Sequence, residues 1–182
     1  SGFQLGLSFT PDEGDGGTAS GFTGNNNGDM ENVIGAGLNW SGDFDAIGIQ
    51  LGAVGQFGSA EVSGTEDLSA WQLGSVISFG SVSIAGSYGD LGDSGQAVGS
   101  DIDTSFWTAG VAYAQDVWGI SATYLDSEVG SNDYTSLVLG ADYSLAPGLT
   151  PYIEATFFEA DEGGTTLDND GTIVLVGTYL NF

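Results

Sequence analysis

Carboxylates are the only charged side chains in this chain. Its 182 residues include 25 Asp and Glu but no Lys, Arg, His or Cys, and the formal net charge is −25. Two of the carboxylates, Asp142 and Glu154, fall inside predicted strands. A carboxylate pair can act as general acid and base, but only in a substrate cleft, and no other residue pattern indicates such a cleft. We therefore predict that the chain is not an enzyme.

The missing residue types exclude several other classes of function. Nucleic-acid binding needs cationic side chains against the phosphates, so no nucleic-acid partner is expected. Catalytic groups that use His or Lys cannot form, and neither can His-ligated zinc sites. Without Cys, disulfides and thiol chemistry are also excluded. The chain is expected to attract cations.

Apolar residues recur with a period of two, which is typical of β-strands. Phe3, Leu5, Leu7 and Phe9 form the first of ten such runs. Each run is about as long as a tilted strand that crosses a bilayer, and no run approaches the ~18 residues of a membrane helix.

The connections between these runs alternate in length. Short turns are predicted near 41–45, 79–82, 114–117 and 146–149, and longer polar stretches near 10–31, 58–68, 89–103, 126–133 and 159–170. An up-and-down meander with one short-looped end and one long-looped end is typical of outer-membrane barrels. The predicted fold class is therefore all-β, a transmembrane antiparallel up-and-down β-barrel with ten strands visible.

The charges follow the same division. Most of the 25 carboxylates lie in the long polar stretches, and only Asp142 and Glu154 are expected in strand interiors. Both are on the parity opposite to the apolar residues. No carboxylate is expected on the apolar face, where hydrocarbon would make a charge costly.

Aromatic residues on the apolar parity lie at both ends of the predicted strands. This placement predicts two aromatic girdles at the membrane interfaces. Cross-strand packing inside a soluble sheet is the alternative, but the opposite face is too small and polar for a packed core. The girdle candidates are Phe3, Trp40, Phe79, Tyr113, Trp118 and Tyr143 at the turn end, and Phe9, Phe57, Trp71, Tyr88, Trp107, Tyr124 and Phe157 at the loop end.

The polar parity supplies candidates for a pore wall. Passive diffusion needs a wetted polar lumen and no reaction chemistry, and carboxylates on that wall favour cations. The predicted pore-lining residues are Asn39, Gln50, Gln56, Gln72, Asp142 and Glu154. The alternative for the three glutamines is that they are simply solvated.

Calcium binding is a further hypothesis for the acidic loops. No cofactor is required for diffusion, but Ca²⁺ prefers several oxygen ligands. Asp12, Asp15, Asp168 and Asp170 have suitable spacing. Asp, Asn and Gly also form ordinary turns, which is the simpler explanation of the same residues.

Several segments together resemble the C-terminal part of a Gram-negative trimeric outer-membrane porin of the alphaproteobacterial type. They are the opening residues 1–12 (SGFQLGLSFTPD), residues 40–44 (WSGDF), residues 108–113 (TAGVAY) with 118–121 (WGIS), residues 145–150 (LAPGLT) and the terminal Phe182. The resemblance spans the whole chain, although each segment alone is weak.

This resemblance implies a sixteen-strand barrel in a homotrimer in the bacterial outer membrane, with lipid and lipopolysaccharide around it. Residues 1–182 would then be a single barrel segment that lacks the first six strands, supplied by an N-terminal segment or a second chain. Leu180 and Phe182 resemble the terminal signal read by the barrel-assembly machinery, although Phe182 is also a girdle candidate. A self-contained ten-strand barrel is the alternative, but its narrow lumen would need larger inward side chains.

The sequence thus predicts an outer-membrane porin segment that passes small hydrophilic solutes and ions by diffusion, with a preference for cations. The alternative is a structural or surface-assembly barrel, a split or cleaved porin without channel activity. Ten-strand outer-membrane hydrolases need His, which this chain lacks.

Overall fold

The computed structural model describes residues 2–12, 30–100, 102–163 and 169–181, and these residues form ten antiparallel β-strands. No helix in those ranges has the length and apolar character needed to cross a bilayer. The strands are β1 (Gly2–Asp12), β2 (Met30–Phe44), β3 (Ile47–Ala60), β4 (Leu68–Phe79), β5 (Val82–Gly92), β6 (Thr104–Gln115), β7 (Trp118–Val129), β8 (Asn132–Tyr143), β9 (Leu149–Asp161) and β10 (Asn169–Leu180).

All ten strands belong to one sheet in which each strand pairs with its neighbour in the sequence, from β1 to β10. This up-and-down order confirms the predicted fold class. Within the described residues β1 and β10 each pair on one side, so the sheet is open at both edges.

The two faces of the sheet differ in composition and in exposure. In β4 the apolar residues Trp71, Leu73 and Ile77 are 41%, 52% and 50% exposed, while Gln72 and Val76 between them are half-buried. We call the side that carries Trp71 the apolar face and the side that carries Gln72 the polar face. In each strand pair, residues of the apolar face lie opposite residues of the apolar face, so both faces continue across all ten strands.

A soluble sandwich would bury its apolar face, and this sheet does not. Among the described residues Val33 is the one buried hydrophobic side chain, with 3% of its surface exposed. Exposed apolar residues instead cover the face that hydrocarbon would contact. The fold is therefore arranged inside out relative to a soluble protein.

Two-residue turns close one end of the sheet. β2 and β3 are joined at Asp45-Ala46, β4 and β5 at Gly80-Ser81, and β6 and β7 at Asp116-Val117. The first residue of each turn has a positive φ, of 58°, 56° and 54°. Asp and Gly tolerate this region better than most residues, which explains why they occupy these positions.

The predicted long loop near 126–133 is wrong. β7 continues to Val129 and β8 begins at Asn132, so the connection is the two residues Gly130-Ser131. Polar composition suggested a loop because Asp126, Glu128 and Asp133 interrupt the apolar pattern. Strands that extend beyond the hydrocarbon can carry such residues and still pair, and the register here is continuous from Val129↔Asn132 to Trp118↔Tyr143.

Candidate pore wall and outer rim

All six predicted pore-lining residues lie on the polar face. Register places Asn39 opposite Gly52, Gln50 opposite Val76 and Gln72 opposite Val54. Gln56 lies opposite Ala70, and the same face continues to Asp142 and Glu154 in β8 and β9. Their common face is a structural fact, and their role in a pore remains a prediction.

Two cavities lie against this face between β1 and β6. One of about 780 Å³ is lined by Gln4, Asn39, Gln50 and Gln72, among others. A second of about 590 Å³ includes Ser8, Gln56 and Gln72. A third cavity of about 650 Å³ lies against the apolar face beside Phe3, Leu38 and Leu73, so cavities alone do not distinguish the two faces, and the amide side chains do.

Hydroxyl groups on the polar face bond across strands instead of packing. Ser87 Oγ and Thr108 Oγ1 are 2.7 Å apart between β5 and β6, and Ser78 Oγ and Ser83 Oγ are 2.9 Å apart between β4 and β5. Because these hydroxyl side chains are small and hydrogen-bonded to each other, they keep the polar face hydrophilic without projecting far from the sheet.

Asp142 and Glu154 are diagonal neighbours rather than directly opposed. Asp142 lies opposite Tyr152, and Glu154 lies opposite Gly140 on one side and Leu175 on the other. Asp142 is exposed and Glu154 is half-buried. Diagonal neighbours in an antiparallel pair are roughly 7–8 Å apart, so the two carboxylates act on the same stretch of wall without a shared hydrogen bond.

The sequence analysis overlooked aromatic residues on the polar face. Phe106, Tyr152 and Phe158 each lie directly opposite a glycine: Gly89, Gly177 and Gly171. A Cβ built on Gly177 would lie 2.5 Å from the Tyr152 hydroxyl, and one on Gly171 would lie 2.7 Å from the Phe158 ring. These rings lie flat over the glycines of the adjacent strand. An aromatic residue on the polar parity that faces a glycine is the sequence signal that could have revealed them, once register is known.

All thirteen predicted girdle residues lie on the apolar face, and four cross-strand ring pairs connect them. Phe3 and Trp40 have ring centroids 6.4 Å apart, and Trp118 and Tyr143 have centroids 5.2 Å apart, at the turn end. At the loop end the pairs are Trp71–Tyr88 at 5.5 Å and Trp107–Tyr124 at 5.2 Å. The remaining candidates on this face are Phe9, Phe57, Phe79, Tyr113 and Phe157. Their function as interfacial girdles stays a prediction.

The expectation that no carboxylate lies on the apolar face is wrong. Asp90 and Asp126 share the parity of Tyr88 and Tyr124, whose hydroxyls donate to them at 3.5 and 3.4 Å. Each carboxylate lies opposite the Trp of the preceding strand, Trp71 or Trp107. The strands continue past the girdle level, where water can solvate a charge.

The expectation that only Asp142 and Glu154 are carboxylates within strands is wrong for the same reason. Others lie near the strand ends, beyond the apolar stretch, and they include Glu31, Asp43, Glu128, Asp133, Glu159, Asp161 and Asp170.

The long connections are tied to one another at the other end of the sheet. The Glu66 N–H donates to the Gln96 carbonyl at 2.8 Å, and the Val98 N–H donates to the Gly64 carbonyl at 2.9 Å. The Gly130 N–H donates to the Asp103 carbonyl at 2.9 Å. We call residues 61–67, 93–100, 102–103 and 130–131 the outer rim. Its segments form a hydrogen-bonded belt across strands β3 to β8.

The predicted calcium ligands are only partly within the described residues. Asp15 and Asp168 lie outside them, and so does the side chain of Asp12, while Asp170 lies near the start of β10. In the part of the chain that the structure describes, no group of three or more acidic residues could hold a metal ion. Calcium binding therefore has no structural support here.

The assembly-signal candidates are at the end of β10. Leu180 is its last residue and is exposed on the apolar face, opposite Leu149. Phe182 lies outside the described residues. Their role in assembly stays a prediction.

An open-ended meander with an exposed apolar face, an opposite face rich in small and polar residues and one long-looped end defines an outer-membrane β-barrel protein. A family model described as Gram-negative porin matches residues 1–163. The chain belongs to this family, and its location is the bacterial outer membrane.

Sequence relatives come from Rickettsia. An uncharacterised protein of Rickettsia conorii is 34% identical over 107 residues, which cover 53% of this chain and 24% of that protein. An uncharacterised protein of Rickettsia bellii is 30% identical over 105 residues, with the same coverage. The chain thus matches about a quarter of the length of these curated relatives.

Solved structures share the fold. The anion-selective porin from Comamonas acidovorans has a TM-score of 0.68 at 19% identity, and the match covers 100% of this chain and 56% of that one. A loop deletion mutant of OmpT, an outer membrane protein of Vibrio cholerae, has a TM-score of 0.53 at 16% identity, covering 97% and 74%. At these identities the likeness shows the fold alone.

Proposed function

We propose that the polar face is one wall of a pore through which small hydrophilic solutes and ions diffuse, with a preference for cations. The observation that carries this proposal is the common placement of Asn39, Gln50, Gln56, Gln72, Asp142 and Glu154 on the polar face, opposite an exposed apolar face. Diffusion through such a wall needs neither an enzymatic group nor a cofactor.

The cation preference is argued from charge. Asp142 and Glu154 lie on the wall, and no Lys or Arg in this chain can neutralise them. Carboxylates that line a pore favour cations. The Comamonas protein is described as anion-selective, so the cation preference proposed here would make selectivity differ within the shared fold, with the wall residues of each protein deciding it.

We further propose that about six more strands complete the barrel. The open edges of β1 and β10 leave backbone groups without strand partners, and closure is how barrels satisfy them. An N-terminal segment or a second chain would supply these strands, so that residues 1–182 form one segment of a sixteen-strand barrel. We propose a homotrimer surrounded by outer-membrane lipid and lipopolysaccharide. Calcium at Asp12, Asp15, Asp168 and Asp170 stays a prediction.

Planar-bilayer recordings under a KCl gradient test the pore and its selectivity. The unmodified protein should conduct, and its reversal potential should be shifted towards the equilibrium potential of K⁺. The double variant Asp142→Asn, Glu154→Gln should lower the ratio of K⁺ to Cl⁻ permeability by up to about fivefold, because a unit charge 4 Å away in water is worth about 1 kcal/mol.

Asp116→Asn is the matched control because it removes a carboxylate from the turn between β6 and β7. Asn accepts the positive φ of 54° at this position. Its permeability ratio should stay within about 1.5-fold of the unmodified value, because a charge outside the pore is screened within a Debye length of about 10 Å at 0.1 M salt. Equal effects of both variants would contradict the proposed selectivity. Folded protein that passes no current would contradict the pore and favour a structural or surface-assembly barrel.

A further inference from the structure

The polar face changes character at β9 and β10. Elsewhere it is mostly small and polar, but here Ile173, Leu175 and Tyr179 project from it and are exposed. The apolar-face residues of β10 between them, such as Val174 and Val176, are exposed as well. β10 is thus apolar on both faces, and the hydrocarbon of the bilayer accounts for only one of them.

Two tyrosines at the turn end of this region form a stacked pair. The rings of Tyr152 in β9 and Tyr179 in β10 have centroids 4.7 Å apart at an interplanar angle of 23°. The Tyr152 ring lies over Gly177, which is directly opposite it in β10. This contact restricts the position of the Tyr152 ring. Tyr179 is on the polar face of the edge strand β10 and is 61% exposed in the open sheet, so the pair presents an aromatic surface on the side that would face the lumen.

The two wall carboxylates lie at different distances from this stacked pair. Asp142 is directly opposite Tyr152 in register, but its carboxylate lies over Gly119 of β7, on the side away from Tyr152. Glu154 is two residues along β9 from Tyr152, about 7 Å away on the same face, and directly opposite Leu175. No cationic side chain of this chain exists to occupy the space between them.

We propose that Tyr152, Tyr179 and Glu154 form a binding site in the pore for organic ammonium cations, with the Asp142 carboxylate further along the wall at β7 and β8. Aromatic faces attract cations through the ring quadrupole, and quaternary ammonium groups are the cations most often recognised in this way. Glu154 supplies the opposite charge, and Leu175 accommodates an alkyl or aryl body. This site rests on the proposed pore, because only in a pore is the polar face open to solutes.

Direct binding tests the site separately from conduction. The probe is phenyltrimethylammonium, titrated against the folded protein in nanodiscs, with dissociation constants measured by NMR. Tyr179→Leu keeps an apolar side chain but removes the ring, and it should weaken binding by about three- to tenfold. Tyr179→Phe should bind within about twofold of the unmodified protein, because a phenyl ring also offers a π face.

Phe106→Leu is the matched control, since Phe106 is another polar-face ring over a glycine, at Gly89. Its affinity should not change. Asp142→Asn with Glu154→Gln should weaken binding and reduce its dependence on salt. Benzyl alcohol, an uncharged probe of similar size, should not bind measurably.

The site is refuted if Tyr179→Leu binds as tightly as the unmodified protein, if Phe106→Leu loses as much affinity, or if benzyl alcohol competes equally. Conductance is recorded on the same material. Protein that conducts but does not bind the probe overturns only this inference. Protein that binds the probe but passes no current shows that the probe reaches the polar face without diffusion through it; that result overturns the proposed function and keeps the binding site, whose access would then not depend on a conducting pore.

Discussion

Leu139 and Val138 are adjacent in β8, yet their side chains leave opposite faces of the sheet. Leu139 is on the apolar face, opposite Ala122 and Ala155, and Val138 is on the polar face, opposite Thr123 and Thr156. Both are apolar, so composition does not distinguish them. Register does, because a shift of one residue exchanges the faces.

Arginine substitution at these two positions should have very different costs. Leu139→Arg places a charge on the apolar face, four residues from the girdle candidate Tyr143 at the turn end of β8, and should lower the free energy of unfolding by about 2–4 kcal/mol. Val138→Arg should cost less than about 1 kcal/mol, because its side chain enters a wetted lumen. Urea unfolding from lipid vesicles measures both values. Equal losses would show that the faces are assigned wrongly.

At the level of elements, the outer rim holds its connections in place through backbone hydrogen bonds. Besides the bonds between 61–67 and 93–100, the Ser69 N–H donates to Ser94 Oγ at 2.9 Å. The Thr65 N–H donates to the Val62 carbonyl at 3.2 Å and closes a turn with Gly64 at a φ of 92°. These hydrogen bonds hold the connection between β3 and β4 against the connection between β5 and β6.

Proline substitution distinguishes a rim residue whose N–H bonds another rim segment from one that lies within a local turn. Glu66→Pro removes the N–H that reaches the Gln96 carbonyl, and should weaken the rim by about 0.5–1.5 kcal/mol. Proteinase K should then cut these connections several times faster. Ser63→Pro is the control, because Ser63 follows Val62 in the turn, where proline is favoured. If both variants are cut at the unmodified rate, the belt does not restrain the rim.

For the molecule as a whole, the charge distribution matters more than any single carboxylate. The chain carries −25 with no internal counter-charge, and acidic side chains occupy strand ends at the long-looped end as well as the polar face. Cations would therefore accumulate at the entrance before they reach Asp142 and Glu154.

Salt should suppress this effect. The Debye length falls from about 30 Å at 0.01 M to about 3 Å at 1 M, so the ratio of K⁺ to Cl⁻ permeability should fall several-fold towards unity over that range. Reversal potentials measured at a fixed concentration ratio but rising mean KCl give the curve. A permeability ratio independent of salt would mean that pore geometry, rather than the acidic charge, sets selectivity.

The period-two pattern and the alternating connections predicted ten strands, their order and their two faces. This was possible because a strand with lipid on one side and water on the other alternates apolar and polar residues along its own sequence. The limits of the strands were not predictable in the same way. Asp126, Glu128 and Asp133 read as a loop, yet they pair in β7 and β8. Cross-strand hydrogen bonds outweigh the polar composition once the strand has left the hydrocarbon.

Sequence alone predicted that Asn39, Gln50, Gln56, Gln72, Asp142 and Glu154 share one face, since parity within each strand fixes the face. Only the tertiary structure decided what stands beside them. Three strands contribute to the Tyr152–Tyr179 stack, to the contact of Tyr152 with Gly177 and to the pairing of Tyr152 with Asp142. Which residues are neighbours across strands depends on register. Register is set by pairing over the whole sheet, which periodicity along one strand does not encode.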